Sequence, residues 1–105
     1  RISTSQSGQT SRHVRANVTL MDALLDEAIT LFINGEPDTA KLVLRDLVNA
    51  TVGFESLAEE IHKPAKSLHR MLSASGNPTM SNISAIFAAI KRALGVEVRT
   101  TVVVA

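Results

Sequence analysis

The chain has 105 residues, 45% of them apolar, with three Phe and neither Trp nor Tyr. That is one small domain, whose core must come from Leu, Ile, Val, Ala and Met. There is no Cys, which excludes a disulfide framework, a thiolate metal site and a Cys nucleophile and fits a reducing cytoplasm. The net charge is only +1, but residues 22–62 hold nine acids and two bases whereas residues 63–96 hold five bases and no acid. This asymmetry predicts a basic face for a polyanion and an acidic body turned away from it.

Residues 1–18 are rich in Ser, Thr, Gln and Gly and read as a flexible leader. The first residue is Arg rather than Met, which fits a processed or truncated leader. Arg12, His13 and Arg15 suit a basic arm of the kind that enters a minor groove. A weak alternation at Val14, Ala16 and Val18 leaves a short strand open. The leader lacks the apolar middle of a signal peptide, and no apolar run approaches the roughly 18 residues of a membrane span. The expected setting is the cytoplasm, without a membrane partner.

The helical domain is expected over residues 19–95. Thr19 and Asp22 have capping-box spacing, which places a first helix start near Thr19. Leu24, Leu25, Ala28, Leu31 and Phe32 form its core stripe, and Asn34-Gly35 stops it. Pro37 opens a second helix at the position where a missing N–H is harmless. Its stripe is Ala40, Val43, Leu44, Leu47 and Val48, and it ends near Thr51. Lys41, Arg45 and Asp46 are assigned to solvent.

Two short helices follow, about Glu55–Ile61 and Pro64–Ser73. Their inward faces are Leu57, Ala58 and Ile61, then Leu68, Met71 and Leu72. Phe54 is placed as a hydrophobic staple. Ser73 to Pro78 is a linker with three turn formers, Gly76, Asn77 and Pro78. Thr79 or Ser81 caps a fifth helix with the stripe Ile83, Ile86, Phe87, Ile90 and Leu94, and Gly95 ends it.

Residues 96–105 change character. Val96, Val98, Thr100, Val102 and Val104 alternate along a β-branched run, which is a strand signal. A lone apolar strand on a helical body invites aggregation. Antiparallel pairing with the same strand of a second molecule about a two-fold axis removes that exposed edge. These five residues are the candidate dimerisation set.

The pair of short helices reads as a helix-turn-helix. Ala58 is the small residue where the second helix crosses closely. His62 stands at the turn position that needs positive φ, where Gly is usual, and His is among the residue types that accept it. Lys63 stands where an apolar residue is common. On the second helix, Ala65, Lys66, His69, Arg70 and Ser73 are expected on the outer face, toward a major groove. Arg70 and Lys66 can donate to guanine O6/N7 or to phosphate, and Ser67 and His69 can do either. Asn77, Thr79 and Ser81 at the start of the fifth helix offer hydroxyls and N–H groups to a phosphate.

Leu57-Ala58 and the run Lys66-Ser67-Leu68-His69-Arg70-Met71-Leu72-Ser73, then Gly76-Asn77-Pro78-Thr79, resemble the DNA-binding domain of HigA-like antidote proteins of addiction modules. That is a branch of the Xre, or phage-repressor-like, helix-turn-helix regulators. The resemblance covers about residues 36–96. It implies a mainly α, five-helix phage-repressor-like domain; the strand over 96–105 that is expected to pair across a dimer lies outside the family's DNA-reading motif. It also implies a homodimeric repressor on a palindromic double-stranded operator, and a small basic toxin protein as a further partner.

Two other classes compete. An enzyme is disfavoured: His13, His62 and His69 are scattered, and no metal-ligand spacing, Gly-rich phosphate loop or nucleophile elbow is present. No catalytic residue, metal or cofactor is expected. The alternative is a protein-interaction module whose acidic helices over 22–62 hold a partner toxin, with DNA binding secondary or absent.

Overall fold

The computed structural model describes the backbone of residues 8–105 and the side-chain surroundings of residues 20–105. Five helices follow one another: α1 (Gly8–Ile33), α2 (Pro37–Ala50), α3 (Phe54–Ile61), α4 (Ala65–Met71) and α5 (Met80–Leu94). Among the described residues there is no strand, and no helix is long and apolar enough to cross a membrane.

The largest difference from expectation lies at the N-terminal side. Helix α1 begins at Gly8 and not near Thr19. Thr19 and Asp22 therefore do not form a capping box, and Val14, Ala16 and Val18 lie in helix rather than in a strand. The physical reason is plain: from Gln9 to Asn34 there is neither Gly nor Pro to break a helix, and Arg and Ala are strong helix formers. Residues 1–7, and the side chains of the proposed arm Arg12, His13 and Arg15, lie outside the described residues.

Helix α1 ends where expected. Gly35 takes φ +85°, the Glu36 N–H donates to Leu31 O at 2.9 Å, and the Gly35 N–H donates to Phe32 O at 3.3 Å. This pair of bonds is a Schellman motif and satisfies two end carbonyls. Pro37 then opens α2 with Asp38 in its first turn. At the other end Thr51 Oγ1 donates to Leu47 O at 2.7 Å. Gly53, at φ +81°, precedes α3.

The core is aliphatic. Leu44, Leu47 and Val48 of α2, Leu57 of α3, Leu68 of α4, Leu72 just beyond it, and Ile86 and Ile90 of α5 are completely buried. Leu25 and Ala28 bring α1 onto this core, and Phe32 meets Phe87 edge to face with ring centroids 5.8 Å apart. Each fully buried Leu or Ile contributes about 1.5–3 kcal/mol relative to exposure, so the five helices are held chiefly through these positions. Phe54 is buried, but it is the first residue of α3, after the Gly53 N-cap, so it does not hold the pre-cap position of the expected staple.

The tail did not become a strand within one chain. Residues 96–105 form no ladder, because a strand needs a partner for its N–H and C=O groups and none of the five helices offers an edge. Val96 and Val98 pack on the core. Thr100, Val102 and Val104 are exposed.

The turn between α3 and α4 contains the expected left-handed residue. His62 has φ 59° and ψ 46°, and its N–H donates to Ala58 O. It is the one non-Gly residue with positive φ among the described residues. A left-handed L-residue costs about 1–2 kcal/mol. Replacing His62 with Gly is expected to raise stability by about 1 kcal/mol, after Gly's greater entropy loss is subtracted; urea unfolding followed by circular dichroism measures it.

Candidate nucleic-acid interface

Helix α4 is only seven residues long. Pro64 precedes it in extended conformation, and its carbonyl accepts from the N–H groups of Ser67 at 3.0 Å and Leu68 at 3.2 Å. With φ fixed by its ring, Pro64 sets the direction in which α4 leaves the turn. Leu68 and Leu72 anchor the inward side. The opposite side carries Lys66, His69 and Arg70, all exposed.

An open groove of about 430 Å³ runs between the turn, α4 and the following linker. Its polar rim is His62, Lys63, Ser67, Arg70 and Asn77. Among the described residues no carboxylate lines it, and Lys63, Lys66 and Arg70 form no salt bridge. The structure therefore brings Lys63, Ser67, Arg70 and Asn77 together, with Lys66 and His69 on the adjacent stripe of the same helix. Cations left without acid neighbours keep their field available to an anion.

Several expected site residues have other occupations. Ala65 is half-buried, because it shares the i, i+3, i+7 row of Leu68 and Leu72, so it belongs to the packed side and not the outer face. Ser73 Oγ donates to Arg70 O at 2.7 Å and closes the end of α4. Thr79 Oγ1 accepts from the Asn82 N–H at 3.1 Å, as the N-cap of α5. The His69 ring lies on Phe54, with centroids 4.0 Å apart and planes 22° from parallel. One face of that ring is thus fixed on the core while its edge remains open.

The basic surface is also narrower than the charge count implied. Arg92 donates to Glu60 through Nε at 2.8 Å and forms an ion pair with it through Nη2. Its charge is met by an acid of the body, which leaves Lys63, Lys66 and Arg70 around α4, and Lys91 on α5, without a salt bridge among the described residues.

One residue of the site escaped the sequence reading altogether. Lys41, assigned to solvent, is 3% exposed. Its Nζ donates to Gly76 O at 2.6 Å and to Ala74 O at 3.3 Å. Asp38 stands 3.5 Å away but is 88% exposed, so that ion pair is water-screened and contributes little. An ammonium buried this deeply must have its protons bonded, and the linker carbonyls do this. Lys41 thereby clips α2 to the segment that walls the groove. Gly76 is the second half of the clip. A Cβ there would collide with the carbonyl oxygens of Arg70 and Met71 and lie 2.7 Å from Met71 C. Only Gly lets the linker pass so close to the end of α4. No local signal marks such a lysine, because its acceptors lie 33 and 35 residues further along the chain.

Among the described residues no three His, Asp or Glu side chains come together as a metal site. Comparison with protein-family models, with curated proteins and with solved structures finds no match for this chain.

Lys41→Met keeps the aliphatic stem and removes the donor. It is expected to destabilise the fold by about 1–3 kcal/mol, the range for carbonyls left unpaired on burial. The accompanying amide shifts should concentrate at residues 73–78 in a heteronuclear NMR spectrum; shifts spread evenly over α2 would contradict the clip.

Proposed function

We propose that this protein is a cytoplasmic, sequence-specific DNA-binding regulator, a repressor acting as a homodimer on a palindromic operator. The observation that carries this reading is the stripe of Lys63, Lys66 and Arg70. These cations have no salt-bridge partner among the described residues and flank a groove lined by no described acid. Lys66 and Arg70 sit on the second of two short helices joined by a left-handed turn at His62, and Lys63 lies in that turn. Such a helix fits a major groove. Arg70 and Lys66 contact bases or phosphates, and Lys63, Ser67 and Asn77 hold the flanking backbone. His69 presents an edge whose direction is fixed by Phe54.

The similarity of Lys66 to Thr79 to HigA-like antidote proteins supports the same conclusion and extends it to an antitoxin role. A second reading, a module that mainly holds a small basic toxin, draws on the exposed acids Asp26, Glu27, Asp46, Glu55 and Glu59. These lie on α1, α2 and α3, and the two readings are compatible on one molecule.

Selection from randomised duplexes should yield a site with two half-sites about one helical turn apart. On that site, Lys66→Ala and Arg70→Ala together are expected to weaken binding by about 1–3 kcal/mol for each base that is no longer read. Affinity should also fall steeply with salt as counterions are released. Fluorescence anisotropy at several ionic strengths checks both. Unchanged affinity in the double variant would refute the assignment of α4.

A further inference from the structure

A second cavity of about 360 Å³ opens between the end of α1 and α5. Ile29, Phe32, Ile33, Met80 and Phe87 line it, Lys91 is the one charged residue of its lining, and Val98 forms part of its wall. Ile33 is 68% exposed and Met80 82%, so an apolar trough stands in water beside the start of the tail. The other side of Val98 differs in chemistry, because Asp22 and Asp26 line the surface there.

The tail carries an exposed apolar set. Val102 is 97% exposed and Val104 98%. In extended chain they share one face with Val96 and Val98, since alternate residues point the same way, and those two already pack on the core. One face of a single ribbon is therefore seated at its beginning and bare further on.

We propose that the trough is filled by Val102 and Val104 of a second copy of this chain, through a two-stranded antiparallel ribbon whose two-fold axis passes at Thr100. This rests on the dimeric reading above and specifies its surface. The register follows from side-chain parity. Directly opposed residues of an antiparallel pair point to the same face, so the partner's valines face the body only if even-numbered residues oppose even-numbered ones; a shift by one residue turns them to solvent. Centring on Thr100 sets the partner's Val102 opposite Val98 and its Val104 opposite Val96. Neighbouring strands lie about 4.8 Å apart, which carries the partner's Val102 from the Val98 wall onto the trough. The apolar side is chosen over the Asp22 side because valine methyls there would desolvate carboxylates.

The chain contains no Cys, so single cysteines report without background. Thr100→Cys meets its own symmetry mate and should give a covalent dimer on mild oxidation, whereas Val98→Cys, about four residues of strand from its mate, should not. Ile33→Glu, on the exposed rim of the trough, should weaken the dimer at least about tenfold by sedimentation while helical content stays unchanged, because it sets a charge against the arriving valines. Cross-linking of V98C without T100C, or an Ile33→Glu dimer as tight as the parent, overturns the proposal and leaves a dimeric repressor standing. A parent chain that stays monomeric at every concentration overturns both the trough and the dimeric reading.

Discussion

Two leucines hold up the candidate interface. A helix of seven residues is far below the length that persists in water on hydrogen bonding alone, because nucleation is unfavourable and few bonds repay it. Helix α4 exists because Leu68 and Leu72 are fully buried beside Leu57. Its outer stripe of cations needs that anchorage, since Lys66 and Arg70 repel one another at i, i+4, which offsets the favourable place of Arg70 in the last turn. The rest of the domain is arranged around this short element. Pro64 aims it, His62 turns into it, Phe54 braces His69, and the Lys41 clip fixes the linker that leaves it.

The parts of the fold set by local chemistry were legible. Gly35, Pro37, Thr79 and Gly95 mark helix ends through backbone conformation or a short-range bond, and each stands where its residue type requires. The aliphatic stripes of α2 and α5 follow their 3.6-residue period into the core. His62 was legible for the same reason, as a turn geometry with a known tolerance. What stayed hidden depends on distant partners. Lys41 on an amphipathic helix looks like any solvated lysine, and Arg92 looks like a free cation until Glu60, 32 residues earlier, reaches it. Ala65 misled because a short helix has too few residues to fix its phase by period alone. The start of α1 is hidden because the polar composition of residues 8–18 suggests a leader, although no Gly or Pro occurs from Gln9 to Asn34 to interrupt the helix.

The tail shows a different limit. Alternation at Val96, Val98, Thr100, Val102 and Val104 states a preference for extended chain, but a sheet is a property of two segments. In a single chain that preference leaves half of the set packed and half bare. Helical periodicity can be judged within one element, whereas strand pairing always asks about a neighbour.

The clip made by Lys41 has an evolutionary side. Its acceptors at Ala74 and Gly76 are peptide carbonyls, which every amino acid provides. The geometry of the linker is therefore insured against change in most of its side chains, with Gly76 the exception that steric contact imposes. Ser75 and Asn77, which line the groove, are free to vary in chemistry while the wall they stand on keeps its shape. Rim residues of this groove can therefore be exchanged one at a time while the fold beneath them is kept.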